Sequence, residues 1–213
     1  MALIQEKDRI EIAKRLAGMT NPVKLVNFTQ ENECAYCKET RQLMEELASI
    51  SDKISLETYD FVADKAMVEK YRIDKIPATV ITGAEDKGIR FYGIPSGYEF
   101  STLLEGILMV SSGDSGLPAE IREQLANIHE NLHLQVYVTP TCPYCPQAVH
   151  LAHQFAMENP NIVADMVEAT EFPHLSQRYG VMGVPKTIAN DQGVADGAMP
   201  AEMLLEKLAP LFK

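Results

Sequence analysis

The chain has 213 residues, enough for one large domain or two of about 100. Its composition, 46% hydrophobic and 23% charged, is that of an ordinary globular protein. A formal net charge of −11 argues against nucleic acid or an anionic membrane surface as a partner. No stretch approaches the ~18 apolar residues of a membrane span. Residues 1–19 read as an amphipathic helix without the apolar core of a signal peptide, so a cytoplasmic protein is expected.

In chain order, a helix to Ala17 and a turn over 18–22 lead to a strand over 23–29. The loop 30–33 carries the chain into Cys34-Ala35-Tyr36-Cys37, which opens a helix to about Ile50. A strand over 54–60 and a short helix over 65–71 follow. Pro77 then opens a hairpin, 78–82 and 88–92, and a helix over 98–110 closes the first half. Residues 111–116, Ser-Ser-Gly-Asp-Ser-Gly, read as a linker. The second half repeats the plan: helix 118–131, strand 134–138, Cys142-Pro143-Tyr144-Cys145 with its helix, strand 162–168, and a short helix 172–179. Pro185, a hairpin near 187–189 and 194–196, and a helix over 201–211 complete it.

The two halves are copies. Cys34 and Cys142, Cys37 and Cys145, Tyr71 and Tyr179, Ile76 and Val184, and Pro77 and Pro185 all stand 108 residues apart. In each copy the strands joined by a crossover helix must pair in parallel, and the terminal hairpin adds an antiparallel edge.

All four cysteines lie in the two CxxC motifs, and none is left for a structural staple. In a reducing compartment such pairs serve redox chemistry or bind zinc. Zinc would need both pairs in one tetrahedral site, whereas 104 residues separate them and each pair opens its own helix. A helix N-terminus presents unpaired N–H groups and a positive dipole end, which favour a thiolate over a thiol. Pro143 suits the first helical position, where no donor is needed. Cys142 is then the attacking thiolate of disulfide exchange and Cys145 the resolving thiol, with Cys34 and Cys37 in the same roles in the first copy. Tyr36 and Tyr144 match in the two motifs and either face a substrate or cover the helix end. His150 and His153, at i and i+3, are packed or surface histidines rather than metal ligands. No metal and no cofactor is called for.

This element order, with CxxC at a helix start and Ile76-Pro77 or Val184-Pro185 downstream, resembles the thioredoxin fold. Two such units in tandem are similar to the protein disulfide oxidoreductases, glutaredoxin-like proteins of thermophilic archaea and bacteria. Cys-Pro-Tyr-Cys at 142–145 is the motif of glutaredoxins and of that family's second unit. Gly93-Ile94-Pro95, Gly97 and Glu99-Phe100 resemble a stretch of its first unit.

The resemblance implies an α/β protein of two thioredoxin-like units, residues 1–115 and 116–213, each a mixed four-stranded sheet flanked by helices. It implies reduction, formation or isomerisation of disulfides in disulfide-containing proteins. The alternative is an electron carrier between an NADPH-dependent thioredoxin reductase and peroxiredoxin-type acceptors. A homodimer accords with it, since the family includes dimers. It also implies cis Pro77 and cis Pro185, with the backbone of Ile76 and Val184 pairing with an extended substrate chain.

Three features depart from the relatives: no tryptophan, no aspartate in strands 23–29 or 134–138 to take a proton from the resolving thiol, and no glutathione motif after Pro185. The sites also differ in charge. Cys34 follows Glu31 and Glu33 and precedes Lys38, Glu39 and Arg41, while no charged Asp, Glu, Lys or Arg lies between Tyr137 and Phe155. Cys142 is therefore expected to be the more acidic thiol and its disulfide the more oxidising.

Overall fold

The protein is described by a computed structural model over residues 2–212; Met1 and Lys213, the outermost residues of the two expected units, lie outside the described residues. The first half comprises α1 (Glu6–Leu16), β1 (Val23–Thr29), α2 (Cys37–Ala48), β2 (Ile54–Asp60), α3 (Lys65–Tyr71), β3 (Ala78–Thr82), β4 (Asp86–Tyr92) and α4 (Glu99–Ser112). The second comprises α5 (Ala119–Ala126), β5 (Leu132–Val138), α6 (Cys145–Glu158), β6 (Ile162–Glu168), α7 (Pro173–Arg178), β7 (Lys186–Ala189), β8 (Gln192–Asp196) and α8 (Ala201–Leu208).

The strands form one continuous sheet in the order β2-β1-β3-β4-β6-β5-β7-β8. The order β2-β1-β3-β4 recurs as β6-β5-β7-β8, with parallel and antiparallel pairings at matching places. Two four-stranded sheets were expected, and they are fused edge to edge. β4 pairs parallel with β6, setting Arg90 beside Asp165 and Phe91 beside Met166. Each of these strands would otherwise expose a row of unpaired N–H and C=O groups, so the fusion caps two edges at once. Gly88 permits the approach: its φ is +76°, and a Cβ there would sit 2.6 Å from the Ile162 carbonyl oxygen.

Alternation along the central strands builds cores on both faces. Leu25, Leu134, Val136 and Val138 join one cluster, together with Leu43, Met44, Leu103, Ile107, Val149 and Phe155 from the helices. Val26, Phe28 and Tyr137 point the other way, into a smaller cluster against which Met67, Val68 and Leu175 of the short helices pack. α4 lies against α6 on the larger face, so the halves share helix packing as well as a sheet.

The linker begins later than its composition predicts. α4 runs through Ser112, and Ser111 is fully buried. Its hydroxyl accepts the N–H groups of Thr20 (2.9 Å) and Asn21 (3.0 Å) and donates to the Asn21 carbonyl (2.6 Å). Those three bonds hold the serine in the helix, and Gly113, at φ +72°, ends it. α5 is shorter than the predicted 118–131, stopping at Ala126.

Candidate active site

β5 delivers the chain to Thr139 at the end of the sheet, where the Cys142 N–H donates to the Thr139 carbonyl at 3.1 Å. α6 begins at Cys145, with Tyr144 as N-cap and Pro146 in the first turn. The first helical position is thus Cys145 and not Pro143, because Pro146 occupies the place where a missing donor is harmless. Cys142 and Cys145 form a disulfide with Cα atoms 5.5 Å apart. The Cys145 N–H donates to the Cys142 sulfur at 3.1 Å, and the Val184 carbonyl oxygen lies 3.7 Å from the same atom. An unpaired N–H at a helix start, aimed at sulfur, is the arrangement that stabilises a thiolate. The Val184–Pro185 peptide bond is cis.

The first pair repeats this frame. Cys34 and Cys37 form a disulfide, also with a Cα separation of 5.5 Å, and α2 begins at Cys37. The Ile76–Pro77 bond is cis as well. Cys34 is partly exposed and Cys37 buried; Cys142 is 8% exposed and Cys145 fully buried. Tyr36 and Tyr144 are the N-cap residues of their helices, with exposed side chains.

The surroundings diverge. Glu31, Glu33 and Lys38 are exposed around Cys34, while Arg41 is turned to Glu45 at 2.8 Å along its own helix. Lys75, just before Ile76, is buried. Its ammonium lies 2.7 Å from Asp74, 3.8 Å from Asp165 of β6 and 3.7 Å from the centre of the Tyr92 ring. Asp165 also meets His133 Nε2 at 2.5 Å. Burial would raise the Asp165 pKa, but His133, Lys75 and Arg90 together hold it below the usual carboxylate range. Burial lowers the His133 pKa, and Asp165 more than reverses this, leaving it raised. In the second copy Met182 and Gly183 stand where Asp74 and Lys75 stand in the first, and both are exposed.

The first half reaches the second site through the segment following β4. The Tyr98 N–H donates to the Pro140 carbonyl at 3.0 Å. Gly97, at φ +61°, is required there, since a Cβ would overlap that carbonyl. The Ile94 N–H donates to Glu171 at 2.7 Å. Glu99, the first residue of α4, is buried at 1% exposure, and neither carboxyl oxygen has a well-aligned hydrogen-bond partner. Burial pushes its pKa up to about 7, against the nearby Thr102 hydroxyl and with help from Glu105. Glu171 is likewise raised to about 7 by burial, with the Ile94 N–H opposing and Glu168 adding to the shift.

His153 is a core residue, its ring tilted against Phe91 with centres 5.0 Å apart and 3.3 Å from the Arg90 carbonyl, and burial lowers its pKa to about 3. Among the described residues no three His, Cys, Asp or Glu side chains cluster as metal ligands, and no helix is long and apolar enough to cross a membrane.

Sequence reasoning missed Glu99, Lys75 and Asp165 as parts of this arrangement. Glu99 had a signal, its place in the Gly97-Tyr98-Glu99-Phe100 stretch, but nothing there indicated burial. Asp165 had another, a charge inside the apolar strand Ile-Val-Ala-Asp-Met-Val.

Comparisons with known proteins agree with this geometry. A thioredoxin domain family matches residues 132–209. The chain is 30% identical over 172 residues to a Bacillus subtilis protein named NADH dehydrogenase, and 28% identical over 172 residues to the AhpF component of alkyl hydroperoxide reductase in Staphylococcus aureus. It covers 31% of the length of each, with 80% of its own length aligned. The N-terminal domain of alkylhydroperoxide reductase AhpF from Enterococcus faecalis superposes with a TM-score of 0.89, at 28% identity, over 96% of this chain and 99% of that one. A protein disulfide oxidoreductase from Aeropyrum pernix K1 superposes with a TM-score of 0.91 over 95% of this chain. At 33% identity across 91% of that protein, this chain belongs to the protein disulfide oxidoreductase family, built of tandem thioredoxin-like units.

Proposed function

We propose that the protein is a thiol–disulfide oxidoreductase that reduces, forms or reshuffles disulfides in other proteins. The observation that carries this is the pairing, twice over, of a CxxC disulfide at a helix start with a cis X-Pro bond downstream. In reduction, the Cys142 thiolate attacks one sulfur of a partner disulfide, forming a mixed disulfide and releasing one partner thiolate. Cys145 then attacks the Cys142 sulfur and releases the second. The partner gains two electrons, the site is left as its disulfide, and a dithiol donor resets it. Cys34 and Cys37 perform the same steps at the first site. Ile76-Pro77 and Val184-Pro185 receive the extended chain of the substrate beside Tyr36 and Tyr144, a role supported at the second site by the Val184 carbonyl next to the sulfur.

Glu99 takes the proton of Cys145 in this reading. It is buried with no well-aligned hydrogen-bond partner, burial pushes its pKa up to about 7, and it begins the helix that packs on α6. Strands β1 and β5 supply no aspartate for that role, which leaves it to an acid from another element. The use of all four cysteines in CxxC pairs supports a reducing compartment, the cytoplasm. The two units are taken as residues 1–115 and 116–213.

A second reading is supported by the long relatives, in which the matched region is 31% of a protein named NADH dehydrogenase or of an alkyl hydroperoxide reductase component. Here the chain is an electron carrier, taking electrons from a separate NADPH-dependent thioredoxin reductase and passing them to peroxiredoxin-type acceptors. Insulin-disulfide turnover with dithiothreitol tests the first reading, and the same assay with thioredoxin reductase and NADPH tests the second. Failure to accelerate insulin reduction in either would overturn both.

A further inference from the structure

The surface around Cys142 is apolar in a protein that is acidic elsewhere. Met182, on the loop entering Val184-Pro185, is 97% exposed, and Tyr144 is 69% exposed. Tyr98, 52% exposed, comes from the first half and is fixed to the rim by its N–H bond to the Pro140 carbonyl, two residues before Cys142. These are three of the eight large apolar side chains exposed among the described residues, and they come from three separate segments that meet Cys142 or its neighbours in the chain: Tyr144 two residues on, Met182 two residues before Val184, whose carbonyl faces the sulfur, and Tyr98 bonded to Pro140. Lys186, which follows Pro185, is turned to Asp196 at 3.2 Å. At the first site the positions matching Met182 and Gly183 are Asp74 and Lys75, charged and engaged with each other. Large apolar side chains left in water around one redox site fit an apolar partner.

We propose that the second site selects disulfides flanked by apolar side chains, held on a platform of Tyr144, Met182 and Tyr98, with Tyr98 lent by the first unit. Fusion of the sheets would then serve recognition, since the segment after β4 reaches Pro140 only when β4 and β6 are paired. The first site, with a charged loop in the equivalent place, lacks this preference. The inference rests on the oxidoreductase reading and adds the class of substrate.

The test uses the Cys34→Ser/Cys37→Ser protein, dithiothreitol, and two cystine-bridged peptides that differ only in whether leucine or serine flanks the cysteines. The leucine peptide should be favoured about fivefold or more in kcat/KM, the scale of a few half-buried apolar contacts. Tyr98→Ser and Met182→Ser should each reduce that preference to about half or less, through KM, while Tyr98→Phe and Met182→Leu keep it. Equal kcat/KM for the two peptides would overturn the platform and leave the oxidoreductase reading intact. A preference that survives Tyr98→Ser would remove the first unit from it. Reduction of neither peptide would overturn the activity itself.

Discussion

The two redox sites share a backbone and differ in almost everything attached to it. Each has a disulfide at a helix start and a cis X-Pro loop. At the first, Glu31 and Glu33 border the cysteine, Arg41 is drawn away to Glu45, and the proline loop is tied through Lys75 to Asp165 across the seam. At the second, the sulfur accepts a backbone N–H, and the loop residues Met182 and Gly183 are exposed and uncharged. Duplication thus kept the elements that make exchange chemistry possible and varied the charges and loop residues around them. A carboxylate ~7 Å from sulfur in solvent is worth about 0.6 kcal/mol, so the difference in potential is modest.

The comparison is broken most directly by removing each pair. Cys142→Ser/Cys145→Ser is expected to lower insulin reduction about a hundredfold, and Cys34→Ser/Cys37→Ser by no more than about twofold. Equal losses would show the sites to be equivalent in turnover.

Asp165→Asn tests the tie between the first site's loop and the second unit. Losing the buried carboxylate leaves Lys75 only the exposed Asp74 and removes the partner of His133, and should lower stability by ~3 kcal/mol in denaturant unfolding. His133 has a raised pKa, so its contribution is complete below its unfolded value of 6.5 and fades as pH rises through the folded value. Asp165, held low, stays ionised throughout that range. The loss should therefore be greater at pH 6 than at pH 8.5, and a pH-independent loss would leave Lys75 alone as the partner that matters.

Glu99→Gln sharpens the account of proton transfer at the second site. Resolution of the mixed disulfide at pH 7, followed in a single turnover, should slow about tenfold. Stability should move the other way. The carboxyl's pKa is raised from 4.5 to about 7, so its cost to the fold is absent below 4.5 and complete above 7. The glutamine variant should melt higher than wild type at pH 8 and close to it at pH 4. An unchanged turnover combined with that stability shift would make Glu99 a buried acid without a catalytic part.

The smallest effect is the potential itself. In single-site proteins titrated with glutathione, the first site should lie ~10–40 mV below the second, where 30 mV is tenfold in equilibrium. Electrons would then run from Cys34/Cys37 toward Cys142/Cys145. Replacing Glu31 and Glu33 with glutamine should close most of the gap, and a gap unmoved by both changes would show that these carboxylates do not set it.

The sequence by itself determined the duplication, the order of elements within each copy, and the four cysteines as the chemistry. All of these are local or periodic: alternation of apolar residues marks strands, 3.6-residue spacing marks helices, and the 108-residue offset needs only the text. It did not determine where α4 ends, because Ser111 looks like linker until Thr20 and Asn21 arrive to bind its hydroxyl. Nor could it show that β4 and β6 pair, since either edge is compatible with solvent when each unit is considered alone. That one pairing brings Asp165 to Lys75 and is accompanied by the contacts of Gly97 and Tyr98 with Pro140 and by burial of Glu99. Burial and pKa belong to the assembled dielectric rather than to any residue's neighbours in the chain, so the asymmetry between the two sites was decided by tertiary structure.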